Sequence, residues 1–207
     1  MSYRFLPSFI AILLSIVATS ARAASPALLD APLSYSATRT VTVDGKTFTG
    51  PMFHMPGRER HEQVLLGMQE VFILDEAQRS GFLVMPALKT MVEFPFPPLL
   101  GALTEPGLRK DALGEEKVGD IPATKYRVEK TAADGTHGEG FLWISARGVL
   151  LKLAGSVTAP GGHRTTIDMV LSGLKEGPQK PELFTPPQGL TRLPAEALAP
   201  LFGARLQ

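Results

Sequence analysis

The residues best suited to acid–base chemistry or metal binding in this chain are four histidines, His54, His61, His137 and His163. His54 and His61 flank Pro56-Gly57-Arg58, a turn signal between two predicted strands. A hairpin whose loop is Gly57-Arg58 would place these two histidines opposite each other, close enough to share a metal ion. The chain has no cysteine, and this register places no carboxylate beside the pair. We therefore interpret them as a solvated surface pair and predict no metal site.

Residue patterns typical of a nucleophilic enzyme are absent from the sequence. The lack of cysteine excludes thiol chemistry, and no Gly-x-Ser-x-Gly motif occurs. Ser145 and Ser172 have no histidine placed beside them. The acids Glu115, Glu116 and Asp120 lie close together without a histidine or metal partner, so we interpret them as a solvated turn. With no glycine-rich phosphate loop either, the sequence predicts a protein that is neither an enzyme nor the carrier of a cofactor.

The first residues have the pattern of an export signal. Arg4 gives a positive start, the run from Phe5 to Val17 is mostly apolar, and Ala21-Arg22-Ala23 offers the small residues that a signal peptidase requires. The apolar run is short for a membrane span. We expect cleavage after Ala23, which removes residues 1–23 and leaves residues 24–207 as a single domain in the periplasm. The alternative is an uncleaved anchor.

Composition limits the partners of this domain. The full chain has 21 basic and 20 acidic residues, and loss of Arg4 and Arg22 with the signal leaves 19 and 20. A nearly neutral chain has no electrostatic reason to bind nucleic acid or an anionic membrane surface. Without cysteine it has neither disulfides nor the lipid-modified cysteine of a bacterial lipoprotein. We therefore expect a freely diffusing periplasmic protein with no transmembrane segment.

Strand signals recur along the chain at close spacing. Leu33 to Val43 alternates polar and apolar residues, as does Ala123 to Lys130 within a predicted four-strand meander from Lys117 to Leu171. Asp44-Gly45 and Asp134-Gly135 are typical of tight hairpin turns. About ten such strands with little helix predict a mainly β, antiparallel fold that closes into a barrel, splits into a sandwich or curls around something.

Three prolines interrupt this pattern in a segment that is also strongly apolar, Phe94 to Leu103. Proline cannot donate to a strand ladder, so we predict that Phe94-Pro95-Phe96-Pro97-Pro98 does not join the sheet. Exposure of its apolar side chains would be unfavourable. We therefore predict that the segment forms a lid across the mouth of the sheet. The predicted lid residues are Phe94, Phe96, Leu99, Leu100 and Leu103.

An apolar stripe along the meander is the candidate ligand site. Alternation within each strand allows these residues to share one concave face. Two interpretations remain open, an ordinary filled core and a ligand cavity, and the volume inside the sheet distinguishes them. The stripe consists of Tyr126, Val128, Phe141, Trp143, Leu151, Leu153, Ile167 and Met169.

The order of several local patterns resembles that of the LolA/LolB-like superfamily of exported bacterial proteins, which includes many uncharacterised outer-membrane lipoprotein-sorting relatives. The resemblance spans Leu33 to Pro187. The patterns, in order, are Pro56-Gly57-Arg58-Glu59-Arg60, Val71 to Asp75, Gly81 to Pro86 with Lys89, Gly114 to Gly119, Ala123 to Tyr126, Gly140 to Ile144, Gly148 to Leu153 and Phe184-Thr185-Pro186-Pro187.

The resemblance implies a fold and two possible functions. The family fold is a strongly curved antiparallel sheet, or incomplete β-barrel, with a short helical or irregular lid. Members that hold lipid chains in the concave face imply a periplasmic binder or carrier of a hydrophobic ligand such as a lipid or a lipoprotein acyl chain. Relatives that sense the state of the envelope imply the alternative, a sensor or scaffold that binds protein partners and has a filled core.

Overall fold

The computed structural model describes residues 31–65, 67–95, 108–131 and 135–194. These residues form twelve strands of one sheet and two short 3-10 helices, Pro86–Leu88 and Pro181–Phe184. The strands are β1 (Tyr35–Val43), β2 (Lys46–Met55), β3 (Arg58–Leu65), β4 (Met68–Asp75), β5 (Ser80–Met85), β6 (Thr90–Pro95), β7 (Arg109–Val118), β8 (Ile121–Thr131), β9 (His137–Ser145), β10 (Leu150–Thr158), β11 (Arg164–Glu176) and β12 (Thr191–Leu193).

The sheet is open. Its strands follow the order β12-β6-β5-β4-β3-β2-β1-β11-β10-β9-β8-β7, so β12 and β7 are the two edges of the described sheet. All neighbours are antiparallel except β12 and β6, which pair in parallel over Thr191–Leu193. The mainly β, antiparallel fold and the meander β8 to β11 are confirmed. The described sheet has twelve strands where about ten were predicted, and one of them, β12, is too short to show any alternation.

The turn between β1 and β2 has the predicted chemistry. Asp44 and Gly45 both have positive φ, 47° and 79°, which an Asp-Gly pair tolerates well. The Asp44 carboxylate also accepts a hydrogen bond from the backbone N–H of Thr166, at 2.7 Å. This contact joins the turn to β11, the strand that pairs with β1 in the sheet.

Pro51 lies where a ladder hydrogen bond is not required. β2 pairs with β1 along its whole length, but its pairing with β3 covers Met52–Met55 alone. The half of β2 that contains Pro51 therefore has no described ladder partner in β3, although the Glu62 carbonyl of β3 lies against Gly50. A proline, which has no N–H to donate, costs no described β2–β3 hydrogen bond there.

The predicted exclusion of Phe94 and Pro95 from the sheet is wrong. Both belong to β6, where Phe94 pairs with Gly81 and Pro95 pairs with Ser80. Proline is tolerated here because the described pairing of β6 with β12 ends at Val92, so Pro95 lies at an edge on that side. The lid residues Phe96, Leu99, Leu100 and Leu103 lie outside the described residues, so the lid stays a prediction.

The register assigns each side chain to one face of the sheet, because directly paired residues point to the same side. We call the side that carries Val128, Leu142, Leu153 and Ile167 the cleft face, and the other side the opposite face. β11 shows which side is inward. Its odd-numbered residues from Thr165 to Leu171 are buried or half-buried and its even-numbered ones are exposed, so the cleft face is the inner one there.

Both faces of the sheet are covered at strands β4 to β6. On the cleft face, Phe72, Leu83 and Val92 pack together beside Phe94. On the opposite face the segment after β11 covers β3 to β5, with Leu190 packed against Val71, Ile73 and Val84. The Arg60 guanidinium donates to the Leu183 carbonyl at 3.1 Å. The continuous apolar run from Val71 to Leu74 is therefore covered on both faces of the sheet.

Candidate functional site

The eight residues of the predicted stripe do not share one face. In the pairing of β8 with β9, Tyr126 is opposite Leu142, and Val128 is opposite Gly140, on the cleft face. Phe141 and Trp143 are opposite Arg127 and Lys125, on the other face. The prediction of a common face is therefore wrong for Phe141 and Trp143. Alternation within a strand gives two sets of residues but does not show which set faces which set of the next strand.

Leu151, Leu153, Ile167 and Met169 are on the cleft face. Leu153 pairs with both Leu142 and Met169, and Ile167 pairs with Gly155. Leu151 has the same parity as Leu153 and is buried, beside an irregularity in the β9–β10 register. Six of the eight predicted residues therefore share the cleft face.

An apolar cleft lies on this face between β8 and β11. Its volume is about 50 Å³, and its walls are formed by Val128, Leu142, Leu153, Val157 and Ile167. Leu108, just before β7, also lines it. Four lining residues belong to the predicted stripe, Val128, Phe141, Leu153 and Ile167. Tyr126, Trp143, Leu151 and Met169 do not line this cleft.

Glycines form the floor of the cleft. Gly140 and Gly155 are directly paired, and both line it together with Gly138. A Cβ atom on Gly140 would lie 2.5 Å from the Ala154 carbonyl oxygen, and one on Gly155 would lie 2.5 Å from the Glu139 carbonyl oxygen. No side chain fits at either position without movement of the backbone. The close approach of the two strands thus removes side chains from the inner face and leaves a depression.

Sequence reasoning missed these glycines. The available signal was the spacing of Gly138 and Gly140, whose side-chain positions share one face of a strand. A glycine in a strand interior often marks a close backbone approach. The position of Gly155 opposite Gly140 required the β9–β10 register, which the sequence does not give.

Trp143 is buried in a hydrophobic cluster that includes Ala123, Val149 and Leu151, and long polar side chains also contact its ring. Its ring has the Lys152 ammonium at 4.4 Å and the Lys125 ammonium at 4.9 Å from the centroid, both within cation–π range. Its Nε1–H donates to the Glu116 carboxylate at 2.7 Å. This hydrogen bond, and then the one from Lys125, lower the pKa of Glu116. Glu116 is exposed, as predicted, but it lies in β7 rather than in a turn, and its carboxylate accepts a hydrogen bond from the indole.

A buried charged cluster occupies the cleft face of β1 to β3. The hairpin centre is Pro56-Gly57, one residue earlier than assumed, so His54 pairs with Glu59 and His61 pairs with Met52. His54, Glu59 and His61 are all buried. The interpretation of the histidines as a solvated surface pair is therefore wrong. The carboxylate that the assumed register lacked is Glu59, which lies between them.

Glu59 contacts both imidazoles. Its Oε2 accepts a hydrogen bond from His61 Nε2 at 2.7 Å. Its Oε1 lies 3.4 Å from His54 Nδ1, an ion-pair distance that is long for a hydrogen bond. His54 Nε2 donates to the Ala31 carbonyl at 3.1 Å, and the ring stacks on Tyr35 with centroids 4.7 Å apart. The cluster thus connects the segment before β1 to the β2–β3 hairpin.

Burial and charge oppose each other in this cluster. Burial raises the pKa of Glu59, but its polar contacts with His54 and His61 and the charges of those rings outweigh it and lower the pKa to about 2. For His61, burial and then the nearby Arg39 charge lower the pKa. Burial also raises the pKa of Tyr35 well above its usual range. The arrangement favours an ionised Glu59, which is the expected state of a carboxylate that accepts charge-assisted hydrogen bonds.

The described residues contain no group of three histidine, aspartate or glutamate side chains placed to hold a metal ion. The cluster also lies away from the described cleft, whose lining includes none of its members. In the described part of the chain, no helix is long and apolar enough to cross a membrane. The cleft is therefore the candidate binding site, and the charged cluster is a structural feature of the same face.

Similar folds occur among solved structures. An uncharacterized conserved protein from Thermus thermophilus superposes with a TM-score of 0.53 at 12% identity, over 79% of this chain and 91% of that one. MucB, solved in the Pseudomonas aeruginosa MucA/MucB complex, superposes with a TM-score of 0.47 at 18% identity, over 77% of this chain and 59% of that one. For the LolA superfamily protein NE2245 from Nitrosomonas europaea the TM-score is 0.39 at 10% identity, over 75% and 91%.

The Thermus thermophilus protein shares the fold of this chain. The predicted mainly β, antiparallel architecture is confirmed as an open sheet. At these identities the similarity concerns the fold alone. No protein-family model matches the chain, and a search of curated proteins finds no similar sequence.

Proposed function

We propose that this protein is a periplasmic binder or carrier of a hydrophobic ligand, and that the ligand's alkyl chain lies in the glycine-floored cleft. The observation that carries the proposal is the cleft's lining of Val128, Leu142, Leu153 and Ile167 on the inner face of an open sheet. Apolar side chains around an open depression bind apolar groups because both leave water on contact.

The size of the cleft limits what it holds. A volume of about 50 Å³ is well below the several hundred Å³ of a pocket for a whole drug-sized ligand. Since a single water needs roughly 10–15 Å³ in such a measure, the cleft has room for a few methylene-sized groups. The ligand is accordingly a single alkyl chain of which a short stretch lies between the glycines and Ile167.

The same small volume favours the alternative function. A sheet whose inner face is largely filled fits an envelope sensor or scaffold that binds protein partners. The carrier and the scaffold differ in the effect of a substitution that fills the cleft. A carrier loses its ligand, whereas a scaffold with a filled core is unaffected in partner binding.

Substitution of Ile167 by phenylalanine tests the proposal. Ile167→Phe fills the cleft, and Val170→Phe adds the same ring on the exposed side of the same strand. We expect Ile167→Phe to weaken binding of the fluorescent apolar probe N-phenyl-1-naphthylamine at least tenfold, and Val170→Phe to leave it unchanged. Equal probe binding by both variants and the wild type, with folding checked by circular dichroism, would contradict the proposal.

The location of the protein is part of the proposal. Residues 1–30 lie outside the described residues, so cleavage after Ala23 stays a prediction from the sequence. N-terminal sequencing of protein from the periplasmic fraction tests it. The expected first residue is Ala24, and an intact Met1 in the membrane fraction would contradict the prediction.

A further inference from the structure

Two lysines lie on the cleft face at one side of the cleft. Lys110 in β7 pairs with Val128, a wall residue, and lies two residues after Leu108, which also lines the cleft. Lys130, two residues beyond Val128 in β8, is itself a lining residue. Both side chains are half-buried. An apolar cleft therefore has two ammonium groups beside it.

Lys110 is the more informative of the two. Its ammonium lies 5.6 Å from the centre of the Tyr126 ring, and burial lowers its pKa. Among the described residues no carboxylate forms an ion pair with it, although surface lysines elsewhere in the sheet have such partners, for example Lys125 with Glu116. Partial burial of a cation without an anion is unfavourable, so an anion at this position would be stabilised.

Four acidic side chains in the described parts of β7 to β11 lie away from Lys110. Glu139 and Asp168 point to the opposite face, and Glu139 pairs there with Arg164. Glu115 and Glu176 are on the cleft face but at the far ends of their strands, opposite Thr124 and Tyr35. These four acidic side chains therefore leave Lys110 without a described ion-pair partner.

We infer that the ligand is an anionic single-chain amphiphile, with its alkyl chain in the cleft and its carboxylate or phosphate group at Lys110. The inference rests on the proposed function, since it assigns a head group to the chain that the cleft holds. Charge complementarity decides for an anion over a neutral or cationic head group. The orientation of the ligand follows from the positions of the cleft and the lysines, because the lysines lie beside the apolar walls on the β7–β8 side.

Displacement of N-phenyl-1-naphthylamine by ligands of equal chain length tests the inference. The ligands are dodecanoate, dodecyl phosphate, dodecanol and dodecyltrimethylammonium, with the wild type, Lys110→Gln and Lys117→Gln. Lys117 is the matched control, an exposed lysine at the other end of β7. We expect at least one of the two anions to bind the wild type about five- to tenfold more tightly than dodecanol, as for one partly exposed ion pair.

In Lys110→Gln this preference should vanish, with dodecanol and probe affinities unchanged, whereas Lys117→Gln should behave as the wild type. Whichever anion shows the larger preference identifies a carboxylate or a phosphate head group. Equal binding of dodecanol and both anions by the wild type, or a preference that survives in Lys110→Gln, would overturn the inference and leave the proposed function intact. Failure of the wild type to bind the probe and every ligand would overturn both.

Discussion

Glu59 shows at the scale of single residues how a shift in hairpin register changes the meaning of a sequence. From the Pro-Gly turn signal we predicted two histidines facing each other in solvent. The structure instead has a buried carboxylate between two buried imidazoles. The types of residue were predictable, but the position of the hairpin centre was not. Moving the centre by one residue changes each partner by two and so brings Glu59 opposite His54.

The pH dependence of stability follows from this cluster. The pKa of Glu59 is lower in the folded state than the ordinary value of 4.5, so its contribution is present above that value and is lost as the pH falls towards about 2. The lowered pKa of His61 acts in the same direction, because below pH 6.5 the unfolded chain takes up the proton more readily. We expect the free energy of unfolding, measured by urea denaturation, to fall steadily from pH 7 to pH 3.

Replacement of Glu59 measures its contribution to the free energy of unfolding and to the pH dependence of that energy. Glu59→Gln leaves two buried imidazoles without their carboxylate and should cost about 3 kcal/mol at pH 7, with a shallower loss between pH 5 and pH 3. Glu139→Gln is the control, since Glu139 forms an exposed ion pair with Arg164 and should change stability by less than about 1 kcal/mol. An acid profile of Glu59→Gln that runs parallel to that of the wild type would contradict this account.

Trp143 separates stability from ligand binding. It is 5% exposed, and it lies on the face away from the cleft. Trp143→Ala should therefore cost about 3–5 kcal/mol in urea denaturation, as for a large buried side chain, and Trp143→Phe about 1 kcal/mol for the lost hydrogen bond to Glu116. The affinity of Trp143→Phe for N-phenyl-1-naphthylamine should equal that of the wild type. A large loss of probe binding in Trp143→Phe would place the ring at the site.

At the scale of elements, the sequence did not predict the pairing register between neighbouring strands. The strand pattern, the turns at Asp44-Gly45 and the buried runs of β4 and β5 followed from composition and alternation. The face on which Trp143 lies depends on the β8–β9 register, and residues 132–134 of that connection lie outside the described part. Assignment to one face therefore failed for Phe141 and Trp143 and succeeded for Leu153 and Ile167, which share a face through direct pairing across β10 and β11.

The glycine floor is a property of the β9–β10 pair and can be tested there. Gly155→Ala places a methyl group 2.5 Å from the Glu139 carbonyl oxygen, so the strands must separate. We expect a loss of about 1–3 kcal/mol in thermal or urea denaturation, as for overpacking in an interior. Gly161→Ala is the control, because a Cβ atom there meets no described atom within 4 Å, and its stability should match that of the wild type. Equal stability of the two variants would contradict the close approach.

At the scale of the whole molecule, the architecture of the sheet was predictable, whereas its edge strand β12 was not. Repeated strands, few helices and the order of local patterns predicted an open antiparallel sheet, and the structure has one. The parallel strand β12 and the opposite-face cover by Leu190 were not predicted, because a three-residue strand and a proline-rich tail have no periodicity. The proposed lid, apart from Phe94, lies outside the described residues, so its relation to the cleft stays a prediction.

The central claim is that the cleft holds one alkyl chain, and native mass spectrometry of gently purified protein tests it most directly. The account predicts that the wild type carries an adduct with the mass of one single-chain lipid, and that Ile167→Phe, purified in parallel, lacks it while Val170→Phe retains it. Wild-type protein at its bare polypeptide mass, or an adduct of equal occupancy in Ile167→Phe, would contradict the claim.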